Sequence, residues 1–169
     1  MKVLFVCTAN ICRSPSAEAL ARAIGPAGVQ FSSAGTHAVD GEAINPEMVA
    51  VLPAGVETSA FRSRRLTPAL VEQADLVVTM EAAHRGFVLD DQPQAFLKVF
   101  TFGQLARAIE AAPAGLHPTA LLAHVGATSG HADPALDVPD PYRRGTEAAA
   151  GCVARLQMLL RTVLPALSE

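Results

Sequence analysis

Apolar residues fall along this chain in two kinds of run. Short, β-prone runs rich in Val, Leu and Phe occur at Lys2–Cys7, 29–34, 75–80 and 97–101, each of strand length. Longer stretches with helical spacing separate them and predict helices at 15–24, 46–52, 68–73, 82–89, 102–111, 118–124 and 146–164. Pro15, Pro46, Pro68 and Pro118 open four of these, where a missing N–H costs nothing. Ser14 reads as the N-cap of the first, and Gly25-Pro26 stops it. The last repeats apolar residues at Cys152, Leu156, Leu159, Leu160 and Val163, one face of a 3.6-residue period. Strands alternating with helices predict an α/β fold: one doubly wound domain over residues 1–169, with a four-stranded parallel sheet and helices on both faces. Only the stretch 111–135, rich in Ala, Gly, Pro and His, resists this reading. It is either an insertion carrying a helix or a partly mobile segment.

Composition narrows the classes. With 50% hydrophobic and 17% charged residues the chain is globular rather than disordered. A net charge of −3 gives no general attraction for nucleic acid or an anionic membrane, so neither is expected as a partner and any anion site must be local. No stretch is expected to reach the roughly 18–20 apolar residues of a membrane span. The first apolar run is too short for a signal peptide. Three cysteines, an odd count, argue against a disulfide framework, and a cytoplasmic location is expected.

The chemistry concentrates where the first strand turns into the first helix. Cys7 and Arg13 bracket Thr8, Ala9, Asn10, Ile11 and Cys12, and Ser14-Pro15 follows. Backbone N–H groups and the helix dipole make such a junction an anion site. A helix N-terminus and a guanidinium pull a cysteine pKa from about 8.5 into a range of 3.5–7.5, and the thiolate is the nucleophile. Successive N–H groups from Thr8 to Arg13 form a nest for a tetrahedral oxyanion, and Arg13 adds a bidentate fork. Ser14 donates its hydroxyl to the thiolate, and Asn10 tolerates the left-handed angles of a tight loop. These parts suit attack on a phosphate ester, giving a cysteinyl-phosphate that water cleaves. The leaving group needs an acid, and Asp140, held between Pro139 and Pro141, is the best placed, with Asp137 the weaker alternative.

A bare C-x5-R pattern is weak. With the strand before it, Ser14-Pro15 after it and a distal Asp140-Pro141-Tyr142, it resembles the low-molecular-weight protein tyrosine phosphatase family. That family places a C-x5-R-S-P loop at the N-terminus and its acid in a late Asp-Pro-Tyr. The resemblance covers the whole chain: Ser32–Thr36 looks like the end of the family's second strand and Ala74–Met80 like its third. It implies that Cys7 is the nucleophile, Arg13 the phosphate clamp, Ser14 the thiolate partner, Asn10 the loop-shaping residue and Asp140 the acid and base. Thr8, Ala9, Ile11 and Cys12 then complete the phosphate loop, and Tyr142 and Val39 line the substrate pocket. The implied substrate is a phosphorylated protein or small phosphomonoester, with no metal and no cofactor.

The chain also departs from the family. Ala9 stands where most members have glycine, Val39 where many have an aromatic residue, and Arg143 where many have a second tyrosine. Phe61 stands near a histidine that in many members supports the loop asparagine, which leaves Tyr142 and Phe61 as the candidate aromatic walls. Arg143 and Arg144 favour an acidic substrate or a lower pKa for Asp140. Arg62, Arg64 and Arg65 read as an exposed loop. Cys12 is either a protective disulfide partner for Cys7 or a packing residue, and Cys152 is core. His117, His124 and His131 recur every seven residues without a carboxylate or cysteine at ligand spacing, so no metal site is expected. Thiol-dependent arsenate reduction is the competing chemistry: it needs resolving cysteines, and none lies between Cys12 and Cys152, so a glutathione- or mycothiol-type thiol would have to take their place. A phosphate-binding module without turnover is the non-enzymatic alternative.

Overall fold

The computed structural model describes residues 1–168. Its central strand is β1 (Lys2–Cys7), buried from Val3 onward because both faces are covered. β2 (Gln30–Gly35) and β3 (Leu76–Thr79) flank it, and β4 (Val99–Thr101) lies outside β3, giving the order β2-β1-β3-β4. All pairings are parallel.

The two-residue period of the strands splits the core into two layers. Val3, Phe5, Cys7, Leu76 and Val78 face one side, with Phe5 between the rings of Phe31 and Phe102 at 6.3 and 5.7 Å. That side is covered by α1 (Arg13–Ile24), α2 (Pro46–Val51), α5 (Phe102–Ala111), α6 (Pro118–Thr128) and α7 (Gly145–Val163). Leu4, Val6, Val77 and Val99 face the other side, under α3 (Pro68–Gln73) and α4 (Ala82–Asp91).

Three boundaries differ from the sequence reading. α1 starts at Arg13, with Cys12 at the N-cap, so Ser14 lies inside the first turn rather than capping it. Pro15 still costs no hydrogen bond there. Leu97 and Lys98 belong to a 3₁₀ turn, Pro93–Lys98, which leaves β4 only three residues long. The unpatterned stretch 111–135 carries α6, seated by Leu121 and Val125. Gly126 lets α6 approach that turn: a Cβ there would lie 2.5 Å from the Leu97 carbonyl oxygen.

One expectation is overturned. The segment 145–167, with a mean hydropathy of 1.2, is long and apolar enough to cross a membrane. Alanines on its outer side raise its hydropathy, while Cys152, Leu156, Leu160 and Val163 are buried in the core.

Candidate active site

β1 delivers Cys7 to the carboxyl edge of the sheet, where ligands bind in folds of this kind. From there Thr8–Cys12 wraps back into α1. The loop fits against β2 because residue 35 is glycine: a Cβ there would lie 2.5 Å from the Thr8 carbonyl oxygen and 2.8 Å from the Asn10 nitrogen. Several carbonyls along this turn are engaged. Those of Cys7 and Thr8 accept from the N–H groups of Thr36 and His37, and that of Ile11 accepts from Asn45. The N–H groups of Thr8, Ala9, Asn10, Ile11 and Cys12 take no acceptor among the described residues. Bound carbonyls and free N–H groups are the pattern of an anion nest. Alanine at position 9 does not prevent the loop from forming.

Asn10 is fully buried with φ at +56°, a left-handed conformation that asparagine tolerates. Its Oδ1 accepts from the Arg64 backbone N–H at 2.9 Å, and its Nδ2 donates to Ser14 Oγ at 2.9 Å and Ser33 Oγ at 2.8 Å. Ser14 Oγ in turn lies 3.0 Å from Cys7 Sγ. The thiol and its hydroxyl partner therefore meet inside the first turn of α1, which Ser14 reaches because it does not cap the helix.

Arg13 is 2% exposed yet faces two carboxylates. Its Nη1 donates to Glu81 and, at 3.1 Å, to the Val138 carbonyl, while its Nη2 lies 3.3 Å from Asp140 Oδ2. Burial disfavours its charge, but Glu81, Cys7 and Asp140 outweigh that and raise its pKa. Its Nε–H is buried without an acceptor among the described residues, so a donor remains for a bound oxyanion.

The sequence reading missed Glu81 and His84. His84 is buried at the start of α4, with Nε2 2.8 Å from Thr8 Oγ1 and 3.7 Å from Glu81. Burial, and secondarily Arg13, push its pKa down to about 4, so the ring is neutral near pH 7. The available signal was position: Glu81 follows the carboxyl end of the predicted third strand, where an α/β sheet places its functional side chains.

The two aspartates separate by their partners. Asp137 Oδ1 accepts the Ala82 N–H at 2.9 Å and so anchors the start of α4, and burial raises its pKa. Asp140, its side chain 45% exposed, keeps its carboxylate on Arg13 and so stands nearer the loop. Tyr142 is exposed beside it, but the Arg143 guanidinium covers its ring at 5.1 Å from the centroid. The cation facing Asp140 is thus Arg13, while Arg143 turns to the tyrosine.

The remaining candidates divide. Val39 is exposed in the loop after β2, with its carbonyl accepting from Ser63 Oγ at 2.6 Å. Phe61 is not at the loop: it packs on the core and lines a cavity beside Glu18 and Arg62. The support expected near it comes instead from Arg64, which is half-buried rather than an exposed loop residue. A different aromatic pair stands next to Thr8: the rings of His37 and Phe87 lie 5.4 Å apart, both exposed. Cys12 is buried and free, and burial, with Cys7 next, pushes its pKa up to about 12. Cys152 is likewise buried and free.

Comparison with known proteins agrees with this geometry. Residues 2–118 match the family model described as low molecular weight phosphotyrosine protein phosphatase. A probable low molecular weight protein-tyrosine-phosphatase EpsP of Ralstonia solanacearum is 31% identical over 92% of this chain and 88% of its own length. The YwlE arginine phosphatase from Geobacillus stearothermophilus superposes with a TM-score of 0.77 at 27% identity, over 98% of this chain and 92% of its own. A low molecular weight protein tyrosine phosphatase from T. tengcongensis gives 0.75 at 29% identity, over 98% of each chain. Loop, fold and relatives agree, and the chain belongs to the low molecular weight phosphotyrosine protein phosphatase family.

Proposed function

We propose that this protein hydrolyses phosphotyrosine in proteins through a cysteinyl-phosphate on Cys7. The observation that carries the reading is the meeting of Cys7, Ser14 and Arg13 at the start of α1, with Asp140 held 3.3 Å from Arg13. The Cys7 thiolate attacks phosphorus, the S–P bond forms and the O–P bond to the phenol breaks. The phenolate takes the Asp140 proton as it leaves. Water then attacks phosphorus, gives its proton to the Asp140 carboxylate, and releases phosphate and the thiolate, which the Ser14 hydroxyl stabilises. Arg13 and the N–H groups of Thr8–Cys12 hold the equatorial oxygens through both steps. A similar protein, the C7S mutant of the YwlE arginine phosphatase, carries a phosphorylated active site serine, which supports phosphoryl transfer to this position.

Phosphoarginine is the second reading, because a protein-arginine-phosphatase of Geobacillus stearothermophilus is 35% identical over 103 residues. Arsenate reduction loses support, since the matching family model and the similar relatives are phosphatases. Three free thiols and a cysteine nucleophile are compatible with a reducing, cytoplasmic setting.

The test is hydrolysis of para-nitrophenyl phosphate in reducing buffer with a chelator, followed by phosphotyrosine and phosphoarginine peptides. Turnover by wild type, lost in Cys7→Ser while phosphate still binds, supports the reading. Equal turnover by the two proteins ends it, and faster release from phosphoarginine moves the substrate to the second reading.

A further inference from the structure

β2 is an edge strand of the sheet. Its even positions bond inward: Gln30 and Thr36 donate their N–H groups to the carbonyls of Met1 and Cys7. Phe31, Ser33 and Gly35 therefore turn their backbone groups outward. Gly35 is met by the returning chain, its N–H donating to the Arg64 carbonyl at 3.0 Å and its carbonyl accepting from the Leu66 N–H at 2.8 Å. The carbonyls of Phe31 and Ser33 are met by side chains instead. Arg22 Nε and Nη2 donate to Phe31 at 3.2 and 3.1 Å, and Arg64 Nε donates to Ser33 at 2.8 Å. With those carbonyls covered, a further backbone strand finds no ladder to extend.

Beside this edge lies an open cleft. Register pairs Lys2 with Gln30 and Leu4 with Ser32, so these side chains share the face towards α3 and α4. Leu4 is buried, but α3 packs on β1 and α4 on β3 and β4, which leaves Gln30 exposed and Ser32 half-buried. The uncovered space measures about 550 Å³ and is lined by Lys2, Arg22, Gln30, Ser32, Arg64 and Gln73, together with apolar residues and no carboxylate. Three cations without a carboxylate make a local positive field in a chain of net charge −3. Glu18 pairs with Arg22 Nη2 at 2.8 Å and offsets one of them. Asp75 takes the backbone N–H of Lys2 at 2.7 Å. Lys2 Nζ and the Arg64 Nη groups have no carboxylate partner among the described residues.

We propose that this cleft docks an extended acidic segment of a partner protein, which sets carboxylates at alternate positions against Lys2 and Arg64. Lys2 enters at the level of Gln30 and Arg64 at the level of Ser33, about 10 Å apart along the strand. A single phosphate ion is too small to touch both. An extended chain presents every second side chain on one face, about 7 Å apart, and two long basic side chains close the difference. Gln30, Ser32 and Gln73 supply hydrogen bonds for its backbone. Because Arg22 and Arg64 cover the edge carbonyls, the segment is held by side-chain charge rather than as an added strand, so its binding is sensitive to salt. Docking here does not depend on the chemistry at Cys7.

The experiment is fluorescence anisotropy of a labelled peptide, Gly-Glu-Thr-Glu-Thr-Glu-Gly, and of its counterpart with glutamine for every glutamate. The proteins are wild type, Lys2→Gln, Arg64→Gln and, as a control for net charge, Arg161→Gln on the exposed side of α7. Lys2 is exposed and its ammonium holds nothing in the fold, so that variant reads the cleft even where Arg64→Gln fails to fold. Wild type binds the glutamate peptide, more weakly at about 300 mM salt than at about 50 mM. Lys2→Gln and Arg64→Gln each weaken binding about threefold, and Arg161→Gln leaves it unchanged. Amide shifts in wild type on adding peptide centre on residues 30–33 and 64. Absence of binding, equal affinity for the glutamine peptide, or an equal loss in Lys2→Gln and Arg161→Gln overturns the proposal. Shifts confined to Thr8–Arg13 place the peptide in the loop instead and overturn it too. Dimers of the peptide-free protein in sedimentation velocity, lost in Lys2→Gln, assign the cleft to a second copy of the chain and likewise overturn it.

Discussion

Glu81→Gln isolates the charge that holds Arg13 in its buried place. Glutamine keeps the length of the side chain and an oxygen for Nη1, so only the ionic part of the contact is lost. Arg13 is 2% exposed, and it retains Asp140 Oδ2 at 3.3 Å and the Val138 carbonyl at 3.1 Å. A contact ion pair at an effective dielectric of 20 is worth about 4 kcal/mol before solvation is counted. The Glu81 side chain is 29% exposed, so freeing it from the pair recovers solvation and leaves a net loss of about 1.5 kcal/mol. For a domain of this size that lowers the melting temperature by about 3–6 °C. Inorganic phosphate supplies its own negative charge to the guanidinium, so a saturating concentration narrows the gap between the two proteins. Thermal melts of wild type and variant, with and without phosphate, test this. A melting temperature within 1 °C of wild type in phosphate-free buffer, or a gap that phosphate leaves untouched, refutes the assignment of Glu81 as the partner that stabilises the buried Arg13 guanidinium.

Asp140→Ala slows cleavage of phenyl phosphate by about 10²-fold or more and para-nitrophenyl phosphate much less, because only the poorer leaving group needs the proton; equal losses on both move the acid elsewhere. His84 predicts an acid-labile fold. Its folded pKa is depressed from 6.5 to about 4, so between those values the unfolded chain binds the extra proton and stability is lost as pH falls. Urea midpoints from pH 7 to pH 4 drop in wild type, and less steeply in His84→Gln; parallel slopes in the two would remove His84 as the source.

Local chemistry made part of this site legible. Cys7, Arg13 and Ser14 are close in sequence, and a strand before them and a proline after them fix where they sit. Asp140 was singled out because proline on both sides marks a stiff loop and the chemistry demands an acid, and the fold sets it beside Arg13. Glu81 and His84 were not, since each is an ordinary residue on a helix or at its edge until a partner many positions away is brought to it. Phe61 failed for the converse reason: an aromatic residue near a motif says nothing about which side of α1 it packs on.

The one-dimensional pattern determined the α/β alternation, the burial of β1 and the chemistry of the loop at its end, because these depend on neighbours within a few residues. Tertiary structure decided what surrounds that loop. Parallel pairing of β1 with β2 and β3 sets Gly35 and Ser33 on one side of Cys7, and Glu81 and His84 on the other. The return of the chain after α6 lays Val138 and Asp140 on Arg13 from 125 and 127 positions away. Hydrogen bonds and ion pairs reach only a few ångströms, so which residues share them is settled by the packing of the sheet and its helices.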